Sequence, residues 1–435
     1  MEPLKSKRVH FKRHQLDNGL ILLVSESHRL PLISINAFVL AGMDQNPPDR
    51  PGIAALTSRL LPEGTQNYQA HEVYESIENT GGNLTTFSEQ DLSGISLNAP
   101  SQELVRGLDL LREILARPTF PEDRFQMERQ KVVSQLHAMG DDPHTVAAHR
   151  FRSWIYQGSP LQYPVLGTQE SVGDLEVHEL RKFHLQKYSP QNTILVIVGA
   201  VDAEDVFSQS VERFSTWQNP HYSRLQISPL ERQTTPIRDE FFMETEQLTI
   251  FLGHLGVTRN NPDYYILQVM DTILGSGPGF TSRIPRRLRD QEGLAYSTYS
   301  SITDSSGIYP GSFVAVISTS PENRQKALDG LSFEIENLLL NGVTSEELMQ
   351  AKDFLTGSFV FEFQSDADVA QFLLETELFD LGEDYPEQYS RIIRDIDCED
   401  VKRVAHRYLD TVNYTTVVVG PTHNGHDLTH ERPSS

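Results

Sequence analysis

Apolar and polar residues alternate along several short stretches of the chain, and this period of two is typical of half-buried β-strands. In the stretch 31–40, the apolar residues Ile33, Ile35, Ala37 and Val39 would all point to one face. Other stretches carry apolar residues three and four positions apart, as expected for helices with one buried face. The pattern therefore predicts a chain that mixes strands and helices.

The predicted elements form two similar series. In the first half, strands are predicted at 16–24, 31–40, 83–99 (a pair) and 194–198, and helices at 52–61, 71–79, 104–116, 121–139 and 175–188. In the second half, strands are predicted at 246–255, 294–300, 313–318 and 415–420, and helices at 262–274, 323–340, 345–360 and 401–409. Both series end with a helix, a polar turn, an apolar strand and a glycine, which indicates an internal duplication.

A segment without periodicity separates the two series. It contains Pro220, Pro229 and Pro236 among mixed polar residues, a composition typical of a linker. The stretches on either side are each long enough for one domain. The sequence thus predicts an α+β protein with an N-terminal domain (1–218), a linker (219–236), a C-terminal domain (237–421) and a polar tail (422–435).

Charge and cysteine content narrow the class of protein. The formal net charge of −23 argues against a nucleic-acid partner, because such proteins present basic surfaces to phosphates. No apolar run reaches the length of a transmembrane segment, and no secretory signal is visible at the start. The single cysteine, Cys398, lies in an acidic stretch and cannot form an internal disulfide. We therefore expect a cytoplasmic protein.

One stretch of the second half, 273–300, carries an unusual combination of residues. It opens with three glycines at alternate positions and continues into a short predicted helix that stops near Gly293. Arg289 in this helix and Tyr296 in the predicted strand lie on either side of the turn, where both can face one point. Their spacing alone favours a plainer interpretation, in which the arginine is a solvated surface charge and the tyrosine a packing residue.

The whole string from the glycines to Gly-Leu-Ala-Tyr-Ser resembles the second half of the pitrilysin and mitochondrial-processing-peptidase family, the inverzincin metallopeptidases. The resemblance extends over about residues 14–421 and implies two homologous domains, each an antiparallel sheet flanked by helices. In that family, the arginine and tyrosine reach the zinc site of the other half of the protein and hold the substrate carbonyl. Arg289 and Tyr296 stand at those positions and are the expected catalytic residues, acting in trans.

The zinc ligands of that family are missing here. Its active members carry His-x-x-Glu-His on a helix, which places two imidazoles on one face and a glutamate beside the bound water. Ala55, Ser58 and Arg59 occupy those positions, and Gln135 stands where the family has a third, glutamate ligand. Since Arg59 would also repel a dication, we expect no metal in this chain.

The resemblance implies where substrate would lie. The glycine loop, with Gly275, Gly277 and Gly279, would let an extended peptide or a partner's backbone pass closely. In the first half, Thr85 and Thr86 match the edge strand on which the family binds substrate. The family more often has Asn-Ala at these two positions.

These observations predict the non-catalytic subunit of a heterodimeric zinc metallopeptidase. The zinc would belong to a paralogous partner subunit, this chain would supply Arg289 and Tyr296, and the substrates would be unfolded or extended peptides. Two alternatives stay open: a scaffold subunit, like the core subunits of respiratory complexes within this family, or a proteolytically inactive homodimer that binds peptides.

Overall fold

A computed structural model describes residues 9–278 and 282–421. Within these ranges the chain forms two β-sheets with helices on their faces. The first sheet has the strand order β1-β2-β6-β3-β5-β4 and the second has the order β7-β11-β8-β10-β9. The strands are β1 (Lys12–Gln15), β2 (Ile21–Glu26), β3 (Leu32–Val39), β4 (Asn83–Ser88), β5 (Ser93–Pro100), β6 (Thr193–Gly199), β7 (Ile237–Phe242), β8 (Leu248–Leu255), β9 (Thr298–Ser301), β10 (Ser312–Thr319) and β11 (Thr415–Gly420).

The α-helices lie between these strands along the chain. Those up to the end of the first sheet are α1 (Ile53–Leu60), α2 (Ala70–Glu78), α3 (Leu104–Ala116), α4 (Glu122–Met139), α5 (Pro143–Ile155), α6 (Gln169–Gly173) and α7 (Val177–Lys187). The remaining ones are α8 (Ala203–Phe214), α9 (Tyr264–Asp271), α10 (Arg324–Asn341), α11 (Ser345–Ser358), α12 (Asp366–Phe379), α13 (Tyr385–Asp395) and α14 (Cys398–Tyr408). In the described part of the chain, no helix is long and apolar enough to cross a membrane.

The two sheets repeat one topology. The order β2-β6-β3-β5-β4 corresponds to β7-β11-β8-β10-β9, and in each of these five-strand series the first pair is parallel while the others are antiparallel. The closing strands β6 and β11, which the sequence pattern singled out, occupy the same place in the two sheets. The α+β class and the two homologous halves are therefore confirmed.

Helix α5 belongs to the first half by sequence but packs on the second sheet. It lies against β8 and β11, where Phe151 contacts Phe251 with ring centroids 5.8 Å apart. Arg150 and Trp154 of the same helix both donate to the carboxylate of Asp239, at 2.6 and 2.8 Å. The helix thus covers a face of the sheet built by the other half of the chain.

Helix α12 makes the reciprocal exchange. It belongs to the second half by sequence and packs on β3 and β6 of the first sheet. Its buried residues, Phe372 and Leu373 among them, share one core with Phe38, Val196 and Val198. The two halves therefore share cores in both directions. The domain boundaries at 218 and 237 stay a prediction.

Residues 219–236, predicted as a linker, have no regular structure and are held against both halves. The Leu225 amide donates to the side chain of Gln45 at 2.7 Å. Arg232 donates to the backbone oxygens of Leu255 and Tyr408, at 3.0 and 2.8 Å. This segment is therefore tied down at both of its ends.

The predicted strand 294–300 is wrong in its extent. The strand β9 begins only at Thr298. Tyr296 and Ser297 form a bend, and Leu294 and Ala295 have no regular structure. Leu294 is fixed instead by tertiary contacts: its amide donates to the Leu288 oxygen at 2.8 Å, and its oxygen accepts from Thr319 Oγ1 at 2.6 Å. The sequence of residues 294–297 therefore alternates like a strand although these residues do not pair with a neighbouring strand.

Candidate functional site

The four positions that correspond to the zinc site lie on α1 and α4, which pack against each other. Ala55 is buried and offers only a methyl group. Ser58 Oγ donates to the backbone oxygen of Phe87 on β4 at 2.7 Å. Arg59 Nη2 donates to Gln135 Oε1 at 2.9 Å, so the fold brings these two substituted positions into direct contact.

The residues at these positions do not fit a zinc ion. A zinc site needs three or four nitrogen, sulfur or carboxylate ligands. Here the methyl group has no donor atom, the serine hydroxyl is engaged with β4, and a guanidinium brings a permanent positive charge. Among the described residues, no group of three or more His, Cys, Asp or Glu side chains is placed to hold a metal.

Arg289 and Tyr296 lie at the surface of the second half. Arg289 belongs to a π-helical segment, Pro285–Gln291, and its side chain is 32% exposed. Its Nε donates to Asp290 Oδ1 at 2.8 Å, and this hydrogen bond raises the pKa of the guanidinium above its usual range. Tyr296 is 89% exposed. Both side chains can therefore be reached by another molecule.

The turn that carries the two residues is anchored by buried leucines on both sides. Leu288 and Leu294 are buried on either side of it, and Gly293 between them has a φ of +63°, a left-handed conformation that favours glycine. The predicted helix stop at Gly293 fits this geometry. The exposed tyrosine therefore projects from a fixed turn.

Packing inside the chain explains two of the three glycines. A Cβ on Gly275 would stand 2.2 Å from Ser300 Oγ, and one on Gly277 would stand 2.4 Å from the Thr272 oxygen. Gly279 lies outside the described residues. The close approach predicted for a peptide at this loop stays a prediction, because close approach of β9 already requires Gly275.

Thr85 and Thr86 lie on β4, at the edge of the first sheet. They pair with Ser96 and Ile95 of β5, and β4 has no second neighbouring strand in the described part of the chain. Thr85 is exposed and Thr86 is half-buried. The predicted position of these residues on an edge strand agrees with this sheet order, and their role in binding a peptide stays a prediction.

Sequence reasoning missed a buried carboxylate that orders the chain after β9. Asp271, at the end of α9, accepts hydrogen bonds from the side chain of Ser301, the amide of Ile302, and both the amide and hydroxyl of Thr303. Burial raises its pKa to about 7, against the lowering effect of these donors. An aspartate at the end of a mostly apolar helix was the available signal.

A second missed cluster joins the two halves. Asp44 is fully buried and accepts from the Tyr309 hydroxyl at 3.2 Å, and Asp91 accepts from the Ile308 amide at 3.0 Å. Burial raises the pKa of Asp44 to about 7 and also raises that of Asp91. Gln45 of the first half also donates to Asp44, at 2.7 Å. Because Tyr309 and Ile308 come from the second half, only the tertiary fold reveals the cluster.

Two family profiles match successive parts of the chain. Residues 22–169 match the profile described as insulinase, peptidase family M16, and residues 174–355 match the M16 peptidase inactive domain. Together with the fold and the substituted metal positions, these matches show that the chain belongs to the M16, or pitrilysin, family of peptidases.

Similar proteins span nearly the same length. An uncharacterised zinc protease of Bacillus subtilis is 24% identical over 423 residues, covering 95% of this chain and 99% of the relative. One from Rickettsia bellii is 24% identical over 425 residues, covering 95% and 98%.

Two solved structures share the fold. An M16 inactive domain from Pseudomonas fluorescens has a TM-score of 0.88 at 24% identity, covering 96% of this chain and 100% of that one. A protease from Helicobacter pylori has a TM-score of 0.86 at 21% identity, covering 95% and 99%.

Proposed function

We propose that this chain is the non-catalytic subunit of a heterodimeric zinc metallopeptidase. It lacks the groups that hold and activate a zinc-bound water, and it matches the inactive domain of its family. The zinc would reside in a paralogous partner subunit with an intact His-x-x-Glu-His helix. The lone cysteine suits a reducing compartment, and we place the complex in the cytoplasm.

The observation that carries this proposal is the exposed pair Arg289 and Tyr296 on an anchored turn. A guanidinium and a phenol are donors suited to a scissile carbonyl and to the oxyanion formed from it. A tyrosine that is 89% exposed gains little from packing in this chain. In a partner's active site, the tyrosine ring would be buried and its hydroxyl could bind substrate.

Asp290 bears on how Arg289 would act. In this chain the carboxylate accepts from both Nε and Nη2 of the guanidinium, so the arginine has to turn away from Asp290 to reach a peptide carbonyl. We propose that docking of the partner, which would cover this surface, favours the arrangement that points at substrate.

The test is cleavage of a fluorogenic peptide by the complex of this chain with its zinc-bearing paralogue. Each change, Arg289→Ala and Tyr296→Phe, should lower kcat by about a hundredfold, since one donor to the oxyanion is worth on the order of 3 kcal/mol. Co-purification of the two chains should be unaffected. The matched control is Arg286→Ala, which removes an exposed arginine from the same segment.

Unchanged cleavage by both variants would rule out the proposed role of the pair. A scaffold subunit would give a stable complex whose cleavage does not respond to either change. The remaining alternative, a peptide-binding homodimer, is favoured by the open edge of β4 and would show peptide binding with no paralogue present.

A further inference from the structure

The guanidinium of Arg59 lacks an acidic partner in the described part of the chain. Its one side-chain hydrogen bond there goes to the neutral amide of Gln135, and no carboxylate lies within ion-pair distance. A guanidinium has five N–H donors, so most of them are available to a ligand. The side chain itself is half-buried beside α4, which restricts its movement.

The surroundings favour one negative charge at this place. On α4, Lys131 is paired with Glu128 at 2.6 Å, whereas the guanidinium of Arg59 has no such carboxylate partner among the described residues. The Gln135 amide can donate through its nitrogen while its oxygen holds the guanidinium. One cation and one neutral donor suit a monoanionic carboxylate, which arginine binds through two parallel N–H groups.

The open edge of the first sheet lies next to this pair. Ser58, the residue before Arg59, fixes this turn of α1 to β4 through the Phe87 oxygen. Beyond β4 no further strand covers the backbone groups in the described residues. An extended peptide can add to such an edge through main-chain hydrogen bonds. Its end, or one of its side chains, would then come near Arg59.

We propose that Arg59 and Gln135 form a carboxylate-binding site at edge strand β4, in the place where active relatives hold metal. The ligand is a peptide carboxylate, from the C-terminus or from an Asp or Glu side chain. The idea that this chain meets extended peptides rests on the proposed function. The site itself requires neither a partner nor zinc.

The experiment measures binding to the full chain without its paralogue, by fluorescence anisotropy. Three fluorescein-labelled probes share the sequence Gly-Thr-Val-Thr-Leu-Ser: one has a free C-terminus, one is amidated, and one is amidated with Glu replacing the last Ser. We expect the free-acid or the Glu probe to bind about tenfold more tightly than the amide, as a charge-assisted pair provides. Whichever binds better identifies the source of the carboxylate.

Variants assign the effect to this site. Arg59→Gln should abolish the tenfold preference, while Arg59→Lys, which keeps the charge without the fork, should retain only part of it. The matched control is Arg181→Gln, because the Arg181 side chain is another guanidinium of the first half without a carboxylate partner among the described residues, and it donates to the backbone oxygens of Thr119 and Phe120. Circular dichroism confirms that each variant is folded.

Equal binding of all three probes, or no binding at millimolar concentration, would overturn the proposal. So would a preference that survives in Arg59→Gln, or displacement of the probe by inorganic phosphate at equal concentration. Cleavage by the mixed complex is a separate measurement. A failure of carboxylate binding at Arg59 would therefore not decide whether Arg289 and Tyr296 act in cleavage.

Discussion

Single residues decide whether this chain can hold a metal. At the positions where active members of the family carry zinc ligands, the methyl group of Ala55 is buried and Ser58 is hydrogen-bonded to β4. Arg59 and Gln135 are hydrogen-bonded to each other. Because a zinc site needs three or four ligands, restoring a ligand at any one of these positions leaves too few.

Binding of zinc should therefore return only when all four positions are changed together. A variant with Ala55→His, Ser58→Glu, Arg59→His and Gln135→Glu should bind zinc at one ion per chain, since it regains two imidazoles and a carboxylate on facing helices. Arg59→His alone should bind none. Atomic absorption after dialysis measures both, and stoichiometric zinc in the single variant would contradict this reading of the site.

A second residue-scale property is the buried carboxylate of Asp44. Asp91, Arg224, Lys187 and the Tyr309 hydroxyl surround it, and one of its oxygens has no hydrogen-bond partner. Burial is the main cause of its raised pKa of about 7, against 3.8 for an ordinary aspartate. Between these two values the folded protein binds a proton that the unfolded chain releases.

The sign of the pH effect follows from this difference. The contribution of Asp44 to stability is present at low pH and is lost as the pH rises through about 7. As the pH rises from 5 to 8, the free energy of unfolding of the wild type should therefore fall by about 2–3 kcal/mol more than that of Asp44→Asn. Urea unfolding at several pH values measures it.

Other groups act in the opposite direction. Burial lowers the pKa values of His184 and His254 to about 4, so their contributions are lost as the pH falls from 6.5 to 4. The difference between wild type and Asp44→Asn cancels these effects, and parallel curves for the two proteins would contradict the assignment.

At the scale of elements, the π-helical turns around residues 272–276 and 285–291 shape the surface that carries Arg289. The first turn packs on β9, and the close contact between Gly275 and Ser300 sets how near they come. A larger residue would push β9 away and displace the bend that carries Tyr296.

Gly275→Ala should therefore destabilise the protein by about 2–4 kcal/mol, because the new Cβ meets the Ser300 backbone nitrogen at 2.4 Å. Gly357→Ala is the matched control: nothing lies within 4 Å of its added Cβ, and it lies inside α11. That change should stabilise by about 0.5–1 kcal/mol. Denaturant unfolding measures the free energy of unfolding of both variants. Similar free energies would show that the contact between Gly275 and Ser300 does not restrict the size of the residue at position 275.

At the scale of the whole molecule, the exchange of α5 and α12 makes the halves depend on each other. The first sheet needs α12 over Phe38 and Val196, and the second needs α5 over Phe251 and Val417. Removal of either cover would expose a large apolar face to water, which costs about 25 cal/mol per Å² of apolar surface.

We therefore expect segments 1–218 and 219–435 to aggregate when each is expressed alone and to yield a folded complex when co-expressed. Size-exclusion chromatography and near-ultraviolet circular dichroism distinguish these states. As a control, cleavage at a protease site inserted within 219–236 of the folded protein should leave both pieces together. A cooperative unfolding transition of isolated 1–218 would show that the exchange is dispensable.

The sequence predicted most regular elements because their causes are local. Helix α3 lies at 104–116, as its apolar spacing indicated, and the face of β3 that alternation assigned to the core is buried. The opposite face of β3 is buried too, which the alternation did not indicate. Five helices, α5, α6, α8, α12 and α13, and two strands, β1 and β7, were not predicted. Residues on most sides of α12 are buried, so it has no clear polar face, and α5 is buried by residues about one hundred positions away.

The loss of the zinc ligands could be determined from the sequence alone, since an alanine or an arginine offers no metal ligand in any fold. The repeated order of elements also came from the sequence, because periodicity and turn residues act between neighbours. Only the tertiary structure decided that Arg59 contacts Gln135 and that β9 packs closely against Gly275. It also decided that Tyr296 is exposed and that the halves exchange helices. These depend on contacts between residues far apart in the chain, which the pattern along one sequence does not encode.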